Sequence, residues 1–481
     1  MQYINQLFEN AYYHCLHYTI SKKIHILERV FWIVWIILSI CCVSYIIDQS
    51  VTNYNLSKVT IKVNTDYLSF EVPFPAVFFC EEKELPGKFD ILMKNLNFKI
   101  TDKQASLDIE NFVRTTTFIR PLESNTNIVD CTKPDVEYCQ FARQYSNNLS
   151  IFTKYIRAEC EEIFTSCLFN GKEFNCCDNF LPIDTYEGKC FALNSFNAKT
   201  THLKKLNKYT TENYKNPKIM ATSTKFKLKH TFMDNPANLS IELAHRDMSL
   251  WYMANNNVPT RMFQKNHHLH EKDFRNFAIG NIFLRVNEIK SDTTLWQLDL
   301  KQRECQFSYE RDISKSVFPS YSQAGCEIDC LRRAQLKHCQ CVLHLLPNQN
   351  QISDKLCNLS GLMCLELKKS NILNELSTKC FCINHCLTYE INNVGIVPDI
   401  EFLTNYQMRN NRSEKRINLI VRTPTVQYIR FGDKDTLDFI VSLGGAISLF
   451  IGCSFLILIQ IIDYFFIRPL NDYCIVQERR L

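Results

Sequence analysis

The sequence predicts a membrane protein with two transmembrane helices and a large disulfide-rich α+β domain outside the bilayer. Three observations predict it. Two long apolar runs lie toward opposite ends of the 481 residues, all the N-x-[ST] sequons fall between them, and so do 18 of the 23 cysteines, an even number. Sequons and stable disulfides both belong to an oxidising, extracytoplasmic compartment, so two independent signals place the intervening segment outside.

Residues 1–29 form a polar lead whose last part carries Lys22, Lys23 and Arg29. The first apolar run, Val30–Ile47, has no charge. Its length matches a hydrocarbon core of roughly 30 Å. It begins too late, runs too long and lacks the small-x-small site of a cleavable signal peptide. Asp48 follows it, whereas Asp433, Asp435 and Asp438 flank the start of the second run and Arg468, Arg479 and Arg480 follow its end. Positive-inside bias puts residues 1–29 and 468–481 in the cytoplasm, leaving 48–436 outside. The second run, Leu437–Ile467, is over-long. At about 1.5 Å per residue such a helix exceeds 40 Å, so it must tilt, break or project from the bilayer.

Within the exterior segment, the sequons are Asn55, Asn148, Asn238, Asn358 and Asn411. Cysteines gather in two clusters: Cys131, Cys139, Cys160, Cys167, Cys176, Cys177 and Cys190, with Cys80 upstream, and a denser set from Cys305 to Cys386. Cys326 and Cys330 are four apart on an expected helix, Cys326–Leu336, so both face one way. Cys380 and Cys382 share a face if extended, which permits two rungs of a ladder. β-branched and aromatic residues predict strands at Val59–Val63, Tyr67–Phe79 and Ile417–Phe431, the last two each with proline. Lys225–Lys229 alternates with period two, as a strand with one wet face does. The first and third strands adjoin the apolar runs directly, a route for passing movement between exterior and membrane.

The second run concentrates small residues. Gly444, Gly445 and Gly452 are three of the chain's 11 glycines. At helical spacing Ser442, Gly445, Ser448 and Gly452 share a face that continues through Gln460 to Asp463. In lipid, small residues allow close helix approach, while an amide and a carboxylate on the same stripe favour a water-filled path.

Other classes fit poorly. A net charge of +5 is no nucleic-acid signature, and the lysines between Lys199 and Lys229 read as a solvated face. His267, His268 and His270 read as exposed and inert, and even cysteine parity outside the cell points to disulfides rather than zinc, so no metal is expected. No G-x-S-x-G elbow, H-E-x-x-H helix or phosphate-cradling glycine loop occurs, so no enzyme is expected.

Several motifs in order resemble the degenerin/epithelial sodium channel family, its insect pickpocket-like branch in particular, over nearly the whole chain. Phe74-Pro75-Ala76-Val77 with Cys80 is similar to that family's FPAVTxC signature. Gly188-Lys189-Cys190-Phe191 with Phe196-Asn197 resembles its G-x-C-x-x-F-N region, stretched by two residues. Cys305-Gln306-Phe307 with Glu310, and Tyr321-Ser322-Gln323 leading into Cys326 and Cys330, follow the pickpocket style. Gly444-Gly445 and Ser448–Ser454 are similar to GG-x-x-GLFLGxS.

The resemblance implies a trimeric, amiloride-sensitive, sodium-preferring channel subunit in the plasma membrane, with permeant Na⁺ and no cofactor. It implies a hand-like exterior with a β-sheet palm and helical thumb and finger, opened by an unknown extracellular ligand or stimulus. Gly452, Cys453 and Ser454 take the selectivity-filter position, Ser442, Gly445, Ser448, Gln460 and Asp463 line the pore, and His14 with Cys15 occupies the His-Gly gating position. The implied disulfides are Cys80–Cys190, Cys305–Cys386, Cys326–Cys382, Cys330–Cys380, Cys339–Cys364 and Cys341–Cys357, the remaining first-cluster pairings staying open. Three departures stand out: Cys15 for Gly, Ser448 for Gly, and Gln460 where the family usually has Glu. Losing a carboxylate ring weakens cation enrichment, so one alternative is an accessory, poorly conducting subunit of a heteromeric channel. Another is a glycosylated receptor without a pore, which explains the exterior but not the polar stripe.

Overall fold

The computed structural model describes residues 25–56, 59–100, 103–118, 137–198, 228–231, 236–244, 248–260, 268–269, 280–292, 295, 298–307, 310, 316–346, 354–398, 415–432 and 436–451. They fall into two compact units, one of Met1–Ile61, Asp292–Arg303 and Arg430–Leu481, the other of Lys62–Ser291 and Glu304–Ile429. Residues 292–303 thus group with the first and last segments of the chain.

The chain opens with helix α1 (Ile26–Leu56), longer at both ends than the expected Val30–Ile47. Strands β1 (Val59–Asn64), β2 (Glu71–Pro73) and β3 (Ala76–Glu81) follow. The single strand expected over Tyr67–Phe79 is instead a 3₁₀ turn, Tyr67–Ser69, then β2 and the start of β3. Pro73 and Pro75 have no N–H to give a ladder, which accounts for the break. Five helices come next: α2 (Lys88–Leu96), α3 (Lys103–Thr117), α4 (Glu137–Gln144), α5 (Ser150–Ile156) and α6 (Cys160–Ile163). Then come β4 (Phe164–Phe169), β5 (Lys172–Glu173), α7 (Cys176–Asn179), β6 (Leu181–Thr185), β7 (Gly188–Leu193) and β8 (Lys229–Thr231). Of the stretch Lys225–Lys229, only Lys229 lies in a strand; Leu228 is a buried loop residue and 225–227 lie outside the described residues. Next are β9 (Ala237–Leu243), β10 (Met248–Met253), β11 (His268–Leu269), β12 (Gly280–Ser291) and α8 (Leu300–Arg303). Helices α9 (Gln323–Cys339), α10 (Leu359–Leu367) and α11 (Lys369–Lys379) lead to β13 (Thr388–Pro398) and β14 (Lys415–Arg422), then β15 (Gln427–Gly432) and α12 (Thr436–Ile451). The strand expected over Ile417–Phe431 is therefore two, interrupted around Pro424.

In the second unit, the larger sheet runs β12-β14-β9-β4-β5 with β13 also paired to β12, and β1 and β15 complete its eight-stranded order at the β12 end. Strand β12 lies parallel to β14, with Ile282 opposite Leu419, and antiparallel to β13. Alternation sets the burial: Ala237, Leu239, Ile241 and Leu243 point inward along β9 beside Ile417, Leu419 and Val421 of β14.

The smaller sheet, β11-β10-β3-β7-β6, is buried on both faces at its centre. Ala76, Phe78 and Cys80 of β3 enter a core shared with α3, α4, α5, α9 and α10, whereas Val77 and Phe79 enter the core of the larger sheet. That double burial explains the unbroken apolar run Ala76–Cys80. Each such Phe contributes roughly 2–3 kcal/mol on burial.

Helix ends follow local chemistry. Ser322 caps α9 by accepting from the Gly325 N–H at 3.0 Å, and Gln340 ends it in the left-handed conformation. The helix exceeds the expected Cys326–Leu336 by nearly a turn at each end, out to these two caps.

Candidate functional site

Helix α12 carries the small-residue stripe. Its partly shielded residues are Phe439, Leu443, Ala446 and Ile447, one face at i, i+4, i+7 and i+8. Ser442, Gly445 and Ser448 are exposed and lie roughly opposite. A Cβ built on Gly444 or Gly445 meets nothing within 4 Å, so packing inside one chain does not require their small size.

Helices α1 and α12 lie side by side. On α1 the shielded residues include Trp32, Ile36, Ser39, Val43, Ile46 and Ser50, alternating at three and four, the seam of a helix pair. The remaining surface is apolar and open: Val30, Phe31, Val34 and Ile37 are each more than half exposed, as suits a helix bathed in lipid. Residues Ile26–Thr52 are long and apolar enough to cross a membrane. Within the described residues α12 contributes only the shorter apolar stretch Phe439–Phe450. Gly452, Cys453, Ser454, Gln460, Asp463, His14 and Cys15 lie outside the described residues.

Exterior motifs occupy structural centres. Phe74, Ala76 and Val77 are fully buried, and the Phe74 carbonyl accepts from Asn194 Nδ2 at 2.6 Å and Asn255 Nδ2 at 2.9 Å. Asn197 donates from Nδ2 to the Asn256 carbonyl at 2.6 Å and accepts the Ser320 N–H at 2.9 Å. The Tyr321 hydroxyl donates to the Ile383 carbonyl at 2.6 Å, fixing the start of α9 to the segment bearing Cys380 and Cys382. Glu310 accepts the Phe307 N–H at 2.9 Å.

Disulfides join Cys80 to Cys190, Cys305 to Cys386, Cys326 to Cys382, Cys330 to Cys380, Cys339 to Cys364 and Cys341 to Cys357. In the first cluster, Cys160 pairs with Cys177 and Cys167 with Cys176, while Cys139 is also oxidised. Cys41 and Cys42 of α1 are free thiols. No metal-ligating cluster occurs among the described residues.

Of the sequons, Asn148 is exposed in the turn before α5, Asn358 half-exposed at the start of α10, and Asn238 half-buried in β9. Asn55 lies in the last turn of α1, and Asn411 lies outside the described residues.

Four buried ionisable groups escaped sequence reading. Arg157, 2% exposed, donates from Nη1 to the Glu81 carbonyl at 3.1 Å and from Nη2 to the Thr117 carbonyl at 3.0 Å, beside the Glu81 carboxylate at 3.9 Å. Burial raises the Glu81 carboxyl despite the opposing pull of Arg157. On α9, burial pushes Glu327 up to about 7, against a weaker bond from Gln323. Burial lowers His344 to about 4, its Nε2 donating to the Thr116 carbonyl at 3.0 Å. Nothing local in sequence marks the burial of these groups: Arg157 meets Glu81 and Thr117, and His344 meets Thr116, only after folding.

The sequence profile described as Amiloride-sensitive sodium channel matches residues 7–464. Sodium channel protein Nach from Drosophila ananassae is 24% identical over 69% of this chain, a match that spans 62% of that relative. Pickpocket protein 28 from Drosophila melanogaster is 22% identical over 97% of the chain and 78% of its own length. The human bile acid-sensitive ion channel is 22% identical over 94% of the chain and 84% of its own length. With its motif order, its disulfide-rich exterior and a profile match from end to near end, the chain belongs to the amiloride-sensitive sodium channel family, a family of membrane ion channels and not of enzymes.

Proposed function

We propose that the chain is a subunit of a sodium-preferring, amiloride-sensitive cation channel of the plasma membrane. It assembles as a homo- or heterotrimer with related subunits, spans the bilayer at residues 30–47 and 437–467, keeps both termini in the cytoplasm, and opens in response to an extracellular stimulus. The observation that carries this reading is the α12 face of Ser442, Gly445 and Ser448, turned away from α1 with open space beyond Gly445. Copies of that face around a common axis leave room for a hydrated ion and bring backbone carbonyls close to it. Gly452, Cys453 and Ser454 continue the face as the filter, Gln460 and Asp463 line the inner mouth, and His14 and Cys15 act in gating.

The test is electrical. Currents are recorded from cells expressing the chain alone and with related subunits, and Ser454→Trp is expected to change the Na⁺/K⁺ permeability ratio while surface delivery is unchanged. Identical permeability in that variant overturns the filter assignment.

Gln460 supports a second reading, an accessory subunit that conducts weakly by itself. A neutral amide ring concentrates cations less than a carboxylate ring does. Gln460→Glu is expected to raise unitary conductance severalfold; an unchanged conductance removes position 460 from the ion path.

A further inference from the structure

Two of the sequons, 210 residues apart in sequence, meet on one corner of the exterior unit. The Leu359 N–H donates to the Ser146 carbonyl at 3.2 Å, tying the turn that holds Asn148 to the start of α10, where Asn358 sits. Chain geometry then keeps the two asparagine Cα atoms within roughly 17 Å. Their local arrangements coincide. In each, Oδ1 accepts the hydroxyl of the serine two residues on, Ser150 to Asn148 and Ser360 to Asn358, both at 2.8 Å. Asn358 Oδ1 also accepts the Gly361 N–H at 2.9 Å as the cap of α10. Among the described residues, neither Nδ2 donates a hydrogen bond.

Interior asparagines behave differently. Asn194, Asn197, Asn255 and Asn256 each use Nδ2 on a main-chain carbonyl. Asn238 sits mid-sheet between β14 and β4, its Oδ1 without a partner. At the Asn148 corner Asn147 and Ser360 are exposed and Leu149 anchors the turn from beneath, so the open side is polar.

We propose that Asn148 and Asn358 both bear N-linked oligosaccharides, side by side, and that this corner faces solvent in the assembled protein. In the transfer, Nδ2 forms a bond to the anomeric carbon of a lipid-linked oligosaccharyl diphosphate. The bond from that carbon to the phosphate oxygen breaks, the lipid diphosphate leaves with the electron pair, and the amide gives up one proton. Two adjacent glycans exclude a protein neighbour, so no subunit packs against the α4–α5 turn or the start of α10.

The full chain is expressed in glycosylating eukaryotic cells, and sequon peptides are analysed after deglycosylation in heavy-oxygen water, which leaves labelled Asp at occupied sites. Both positions are expected to carry the label. Asn148→Gln and Asn358→Gln each remove one glycan-sized step on a gel, and the double variant removes two. Because Asn358→Gln also loses a helix cap, Ser150→Ala and Ser360→Ala serve as second variants that keep both asparagines and are expected to give the same steps. Unlabelled Asn at either position overturns the proposal, whether the other sequons are occupied or not. Its outcome is independent of conduction, since a current-free protein labelled at both sites supports it fully.

Discussion

Arg157 is a cation enclosed by protein, and what keeps it there is a glycine thirty-one residues on. Gly188 has φ +92°, and a Cβ at that position would overlap Arg157 Nη2. The first residue of the Gly188-Lys189-Cys190 motif thus provides both a left-handed turn and room for a guanidinium. Arg157→Leu strips the charge beside the buried Glu81 carboxylate and the donors to the Glu81 and Thr117 carbonyls. It is expected to destabilise the fold by about 3–5 kcal/mol. Gly188→Ala is expected to cost about 2–3 kcal/mol through strain and overlap. Because the overlap vanishes once Arg157 is shortened, the double variant should cost less than the two losses added, in thermal unfolding of the purified chain. Additive losses would show that the two residues do not interact. At this scale the motif glycine was legible in sequence, whereas its partner was not.

The ladder between α9 and the Cys380–Cys382 segment is the clearest device at the level of elements. Cys326–Cys382 and Cys330–Cys380 close nested loops, with sequence separations of 56 and 50. Once one rung is closed, the other closes only a small ring of about six residues. Loop-closure entropy then assigns about 2 kcal/mol to losing either rung alone and about 6 kcal/mol to losing both. Paired cysteine-to-alanine variants compared by urea unfolding should show this excess; equal increments would mean that chain entropy is not what the rungs restrict. That α9 could carry two rungs was legible because an i, i+4 pair and an i, i+2 pair each fix a face in sequence, whereas which cysteine meets which came from the family resemblance. Strand ends near Pro73, Pro75 and Pro424 were not legible, since a proline permits either an edge strand or a break and tertiary pairing chooses. Strands β9, β10, β12 and β13 went unread for a related reason: β12 finds its parallel partner 137 residues away at Asn418. The α12 stripe was visible because glycine and serine contrast with their apolar neighbours. The α1 seam was hidden, as a helix apolar on all sides offers no such contrast.

Across the whole molecule, buried carboxyl groups and buried imidazoles set opposing pH dependences. Glu327, raised to about 7 from 4.5, contributes stability that is full below pH 4.5 and lost as pH rises toward 7. His344, lowered to about 4 from 6.5, contributes stability that is full above pH 6.5 and lost as pH falls toward 4. Glu81 follows the first sense and His385 the second. Between pH 4.5 and 6.5 the slopes offset, so the melting temperature of the parent chain should change little. Glu327→Gln is expected to expose the imidazole dependence, losing on the order of 2 kcal/mol between pH 6.5 and 5 relative to the parent. Thermal melts across that interval measure it, and parallel curves for variant and parent would dismiss Glu327 as a titrating group.

Strand β12 is held by β13 over Gly280–Ile289 and by β14 over Gly280–Arg285. A pull along its axis loads both ladders in shear, so that many hydrogen bonds must yield together, whereas a pull across an edge peels them singly. The strand is therefore suited to bear tension as a tie-rod, and its amides should be among the slowest in the protein to take up deuterium.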